Sequence, residues 1–308
     1  MTYSLFHRTK AVFSKLSLVA ISALSLPLAL HAEAEDMGLG LHPGSGYVLQ
    51  RGVLQVDAYA SYANESMGDA LGFDVSGANG TGTYEEIGSR VWFGLTDLTT
   101  ASFFFGRSEF NYSNKMAEIG FQEFRLKRGI LTGRSPWGFL ALEGSWVRHS
   151  TYNFDAGNGV LQNKSNTLYD YGYGLKLNHT KPISEEWDIH SHLAYNKSLV
   201  DGSGGQNSWE LGLGASKFWR NLYRFDLYAT LRKIDRDTPL AGTASDDNNS
   251  LHFAVTRHIN NRWSWDFRAQ INDNLFRGIW PFLDQEMSNI TVQEYGFIST
   301  GLSYRTKY

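Results

Sequence analysis

From residue 53 onward the chain alternates between apolar and polar side chains. Leu54, Val56, Ala58, Ala60 and Tyr62 share one side of an early segment. Tyr169, Tyr171, Tyr173, Leu175 and Leu177 share one side of a middle segment. Trp263, Trp265, Phe267, Ala269 and Ile271 do so late in the chain, with Ser264, Asp266, Arg268, Gln270 and Asn272 between them. A period of two is that of a β-strand, whose successive side chains point to opposite faces. Twelve such segments are expected, near 53–63, 83–95, 100–110, 119–131, 137–148, 167–178, 187–196, 207–217, 223–234, 250–258, 263–272 and 292–308. Short connections (96–99, 132–136, 178–186, 218–222 and 259–262) alternate with longer ones near 64–82, 111–118, 149–166, 197–206, 235–249 and 273–291. Short turns at one end and longer loops at the other describe an all-β fold, an antiparallel transmembrane β-barrel of about twelve strands. A closed barrel is one of two ways for a backbone to satisfy its hydrogen bonds in lipid. The pattern places the short turns in the periplasm and the loops outside the cell.

The barrel is expected over 53–308, after two leading segments. Arg8, Lys10 and Lys15 precede an apolar run from Leu16 to Leu30, and small residues follow. The run is too short for a spanning helix and ends in a plausible cleavage site at Leu30-His31-Ala32, with Ala32-Glu33-Ala34 as the alternative. Residues 1–32 therefore read as a signal peptide, against the alternative of an uncleaved anchor. Residues 33–52 read as a periplasmic N-terminal segment. The chain has no cysteine, so disulfides cannot contribute to its stability. Without the three leading cations, 25 Lys and Arg face 31 Asp and Glu. That balance argues against nucleic acid as a partner, because phosphate binding needs a basic face. Walker, zinc and dinucleotide fingerprints are missing from the sequence.

Aromatic residues cluster at both ends of the expected strands. Trp137, Trp187, Trp219, Tyr223 and Trp263 sit beside the short turns; Tyr62, Trp146, Tyr195, Trp209 and Tyr295 lie nearer the loops. Such rings favour membrane interfaces, although aromatics are also common in any strand. Outer-membrane lipid and lipopolysaccharide are the expected surroundings. Ile298, Thr300, Leu302, Tyr304, Thr306 and Tyr308 alternate to the last residue. A terminal aromatic on an amphipathic strand resembles the signal read by the barrel-assembly machinery, which makes Tyr308 the candidate assembly residue. The stretch Val91-Trp92-Phe93-Gly94-Leu95-Thr96-Asp97-Leu98-Thr99-Thr100 resembles the GLTD-x-L turn of outer-membrane proteins grouped as transporters, including the phenol meta-pathway degradation type. The resemblance covers one hairpin and implies a periplasmic turn rather than a substrate.

The residues alternating with the lipid face are the candidate lumen lining: Glu86, Arg90, Glu123, Arg125, Lys127, Glu143, Lys176, Asp188, His190, His192, Glu210, Arg224, Asp226, Arg232, Asp266 and Arg268. Both signs are interleaved, as a hydrated or salt-bridged interior requires. These charges are read either as ladders that fill the lumen or as the wall of a permeation path. No run of Arg and Lys dominates, so a dedicated path for phosphate or acidic oligosaccharides is not expected. His190 and His192 share a face, with His252 on another strand; polar filler is the simpler reading, and no metal is expected. Barrel phospholipases and lipid A deacylases set His and Ser two apart on one strand face, and no His-x-Ser occurs here. No catalytic residue and no cofactor is therefore assigned. The last loop is unusually apolar, and Phe276, Trp280 and Phe282 are candidates for a constriction at the mouth, against packing on the rim.

These readings lead to an expected porin, a channel for passive uptake of small solutes, with an apolar or aromatic part among the options. The solute is not legible. The alternatives are a closed structural or surface-interaction barrel and an outer-membrane lipid hydrolase.

Overall fold

The computed structural model describes residues 45–64, 83–112, 115–133, 135–155, 169–200, 204–220, 222–237, 246–273 and 295–307. The expected signal peptide, the apolar loop with Phe276, Trp280 and Phe282, and Tyr308 lie outside the described residues.

Twelve strands form one closed antiparallel barrel. They are β1 (Val53–Asn64), β2 (Thr83–Thr96), β3 (Thr99–Tyr112), β4 (Lys115–Leu131), β5 (Phe139–Asp155), β6 (Tyr169–Pro182), β7 (Trp187–Val200), β8 (Gly204–Trp219), β9 (Tyr223–Arg236), β10 (Ser250–His258), β11 (Trp263–Asn272) and β12 (Tyr295–Lys307). Each strand pairs with its sequence neighbours, and β1 closes on β12 from Val53↔Lys307 to Asn64↔Gly296. Closure removes both sheet edges, so no ladder is left unpaired.

The alternation sets the two faces. Phe103, Phe105, Phe124, Leu126, Leu175, Leu193, Leu211, Leu227 and Phe253 point outward and are exposed. An exposed apolar surface on that scale belongs in lipid, not water. At the short-turn end the outward residues include Trp137, Trp187, Trp219 and Trp263; at the other end they include Tyr62, Tyr173 and Trp209. This is the interfacial placement that aromatic rings prefer. The side chain of Tyr295 lies outside the described residues.

Two connections expected to be long are short. Residues 111–112 and 115–118 belong to β3 and β4, which pair as far as Tyr112↔Lys115. Residues 197–200 and 204–206 likewise belong to β7 and β8. The β3–β4 hairpin runs beyond the apolar belt, where outward positions carry charge. Arg107 and Glu118, on neighbouring strands, form an exposed ion pair there. Water solvates the outer face at that height, so the apolar alternation that marks a membrane strand stops while the backbone ladder continues.

Candidate functional site

The short-turn end of the barrel is filled by the chain that leads into β1. Residues 45–50 have no regular structure, yet Ser45, Tyr47 and Leu49 are buried. They lie inside the barrel as a strap. The strap is held by side chains from four strands. Leu49 N–H donates to Thr100 Oγ1 of β3 at 2.7 Å. Lys127 Nζ of β4 donates to the Ser45 carbonyl. Gly46 N–H donates to Thr180 Oγ1 of β6 at 2.8 Å. Tyr47 OH donates to Asp188 Oδ2 of β7 at 2.8 Å. The Tyr47 ring meets Phe139 edge-on at 4.5 Å and joins Phe139 and Phe218 in a buried apolar cluster. Glycine is required at two points of closest approach. A Cβ on Gly46 would stand 2.5 Å from the Phe139 carbonyl oxygen, and one on Gly94 would collide with the Gln50 carbonyl.

A directional hydrogen-bond chain lies under the strap. Ser216 Oγ–H donates to Asp226 Oδ1 at 2.5 Å. Its oxygen is therefore the acceptor for His190 Nε2–H at 2.7 Å. That fixes the tautomer, and His190 Nδ1 accepts from Thr180 Oγ1–H at 2.9 Å. Arg224 Nε closes the layer on Asp226 Oδ2 at 2.9 Å. Strap and layer together occupy this end along β3 to β9.

Above the layer the interior opens into a cavity of about 630 Å³. Thirteen of the sixteen candidate lumen residues line it: Glu86, Arg90, Glu123, Arg125, Glu143, Lys176, His192, Glu210, Arg224, Asp226, Arg232, Asp266 and Arg268. Lys127, Asp188 and His190 do not; Lys127 and Asp188 hold the strap, and His190 lies in the layer beneath it.

The two sides of the cavity differ in chemistry. Along β4 to β9 the cross-strand register sets Lys127, Glu143, Lys176, Ala194, Glu210 and Arg232 next to one another. Lys127 and Arg125 reach Glu143 at 3.8 and 3.4 Å. Glu123 bridges Arg125 at 2.8 Å and Arg90 at 3.2 Å. Glu210 takes Arg232 at 2.5 Å, His192 at 2.6 Å and Lys176 at 3.8 Å. A half-buried network of this kind offsets the desolvation of each charge with at least one partner. On β1 to β4 the wall is aromatic. Tyr59 stacks on Phe104 at 5.7 Å, and Phe104 lies 4.9 Å from Phe121. The Arg90 guanidinium sits 4.3 Å over Phe104 and 5.2 Å from Trp92. The side formed by β10 to β12 is small and polar, with Ser250, Thr256, Ser264, Ser299 and Ser303. Its Arg268 pairs with Asp266 at 2.8 Å and stays 55% exposed to the lumen.

The histidines are engaged individually. His192 uses Nε2 on Glu210 and Nδ1 on Tyr228 OH. With both rings of the His190–His192 pair occupied on both nitrogens, neither has a nitrogen to offer a metal. Among the described residues no cluster of three or more His, Asp or Glu is placed to hold one. His252 Nε2 lies 2.7 Å from Ser250 Oγ. Ser250 and His252 have the two-residue spacing of His-x-Ser in the opposite order, Ser-x-His. At the loop end Asp273 accepts from Asn249 N–H and Nδ2 at 2.6 Å each. Burial raises its carboxyl above the ordinary carboxylate range, and these bonds oppose the rise.

No protein-family model and no curated protein sequence matches the chain. Solved structures match its shape. The translocator domain of autotransporter NalP from Neisseria meningitidis is 12% identical, with 97% of this chain and 98% of that one covered at a TM-score of 0.53. An outer membrane channel from Pseudomonas putida F1 is 12% identical, with 86% and 100% covered at a TM-score of 0.55. LpxR from Salmonella typhimurium is 12% identical, with 80% and 99% covered at a TM-score of 0.51. The fold is thus a twelve-stranded closed antiparallel β-barrel of the shape these proteins have. At these identities the likeness extends to the fold and not to the task.

Proposed function

We propose that the protein is an outer-membrane channel for passive movement of small solutes. On this reading the short-turn end faces the periplasm, and the strap of residues 45–50 is the closure of the exit. The observation that carries the reading is the cavity of about 630 Å³ walled by charged and polar side chains. A barrel built only as a scaffold would fill its interior, as eight-stranded barrels do. Charges held on the walls favour water between them, and a hydrated interior is what a polar solute crosses. The strap is non-covalent and contributes no strand to the barrel, so its release leaves the ladder closed. The channel needs no cofactor and performs no covalent chemistry. The experiment is a swelling assay on proteoliposomes. Swelling with small sugars and amino acids is expected, and it should quicken when the strap is weakened. Impermeable vesicles with the parent chain and with strap variants would instead support the closed structural or surface-interaction barrel.

A second reading rests on Ser250 and His252. Their 2.7 Å contact is within the reach of a nucleophile and its general base. Both line the cavity. Hydrolysis of a nitrophenyl ester that is lost in Ser250→Ala would favour a hydrolase; the channel reading expects no turnover.

A further inference from the structure

At the short-turn end, four cations gather on one side of the outer rim. Lys217 of β8 and Arg257 of β10 lie on the outward face, and Arg220 and Arg262 stand in the β8–β9 and β10–β11 turns. The three arginines are exposed and Lys217 is half-buried. Among the described residues of β8 to β12, no outward side chain at this end is acidic. Asp226 of β9 and Asp266 of β11 face the lumen. Glu185 and Glu186 flank the group in the β6–β7 turn, and neither pairs with any of the four. None of the four makes an ion pair among the described residues. The other turns at this end carry both signs, with Arg51 beside Asp97 and Lys181 beside Glu185 and Glu186.

The cations are laid on the aromatic belt. Lys217 Nζ lies 5.2 Å from the centre of the Trp187 ring, and the Arg220 guanidinium 4.8 Å from that of Trp219. Arg257 stands in register between Tyr223 and Trp265. Rings of this belt sit at the membrane interface, so cations stacked on them are held at the height of the lipid phosphates. Arg220 also has a φ of 53°. Glycine or asparagine takes that left-handed conformation at lower cost, so the turn by itself does not call for an arginine.

We infer that this face, from β7 to β11, binds the headgroup of an acidic phospholipid. The phosphate oxygens accept from the guanidinium groups of Arg220, Arg257 and Arg262, and Lys217 adds a further charge. The acyl chains lie along the outward apolar residues nearer the membrane centre, Leu213, Leu227 and Phe253. Cations that merely snorkel to the interface serve any headgroup; four of them without a carboxylate favour a lipid of net negative charge. With the short turns in the periplasm, as in the channel reading, the lipid belongs to the periplasmic leaflet. The site itself does not depend on conduction.

The test is lipid retention by the full-length barrel. The protein is equilibrated in detergent with equal amounts of phosphatidylglycerol and phosphatidylcholine of the same chains, and bound lipid is read by native mass spectrometry. Both lipids carry a phosphate, and only phosphatidylglycerol is net anionic. It is expected to be retained at least about tenfold over phosphatidylcholine. Arg257→Gln with Arg262→Gln should cut that preference at least about fivefold with heat-modifiable folding retained, and the paired lysine substitutions should keep it. Arg51→Gln with Arg128→Gln removes as much charge from exposed positions elsewhere on the rim and should leave the preference unchanged. Equal retention of the two lipids overturns the inference. Equal losses from the two glutamine pairs also overturn it, since the preference would then follow total charge. Displacement of the lipid by a large excess of inorganic phosphate would make this a free-anion site and overturns the lipid assignment. Conductance of the same preparation reports separately on the channel. A conducting barrel without lipid preference sinks the site and keeps the channel, and a lipid preference in a barrel that never conducts does the reverse.

Discussion

Tyr47→Phe isolates the bond that pins the strap to the barrel wall. The substitution keeps the ring and its edge-on contact with Phe139, and it deletes the hydroxyl that donates to Asp188 Oδ2 at 2.8 Å. Asp188 is 4% exposed, so it loses a donor at a site with little access to water. A hydrogen bond to a charged group contributes about 1.5–3 kcal/mol. Because 1.4 kcal/mol is a factor of about ten, the seated-to-released equilibrium should shift by about 10–150-fold toward release. Only the seated state makes this bond, so nearly the whole effect falls on that equilibrium. Stability of the barrel itself should change little, since the strap is not part of its ladder. The assay is open probability in planar bilayers, with heat modifiability as the folding control. A folded Tyr47→Phe barrel with unchanged open probability would refute the reasoning that this bond keeps the exit closed.

Other outcomes follow from the two faces of the wall. Leu211→Arg puts a charge on the outward apolar belt and should cost about 2–4 kcal/mol if the residue lies near the bilayer midplane, read from urea unfolding in vesicles. Arg268→Gln should fold normally, because a half-exposed pair is worth about 0–1 kcal/mol, yet it should shift the reversal potential toward cations. Glu210→Gln leaves Arg232 and Lys176 without their carboxylate and should cost about 3 kcal/mol, so its urea midpoint should fall well below that of Arg268→Gln. Gly46→Val should weaken strap seating, since its Cβ would meet the Phe139 carbonyl at 2.5 Å, and bilayer recordings should show more frequent openings.

The strand count and the two faces were legible in the sequence because a period of two survives wherever one side meets lipid and the other water. The loop-end extensions were not, because Arg107 and Glu118 face water on strands that still pair. Nothing in the sequence marked Ser45–Gln50 as an interior segment. It has no periodicity, and the groups that hold it, Thr100, Lys127, Thr180 and Asp188, come from strands far apart in the chain. The composition of the lumen could be read by alternation, but which charges meet depends on register across six strands. The Ser250–His252 pair is legible as a two-residue spacing, in the order opposite to His-x-Ser.

A tether tests most directly whether the strap closes a conducting path. The chain has no cysteine, so Leu49→Cys with Thr100→Cys places a single reversible tether between the strap and β3, where Leu49 N–H already lies 2.7 Å from Thr100 Oγ1. Single-channel recording of this one protein, oxidised and then reduced, compares the locked and released states in the same membrane. Silence is expected when oxidised, with discrete openings that appear on reduction. Openings of equal size and frequency in both states, or none in either, would contradict closure of a conducting path by the strap.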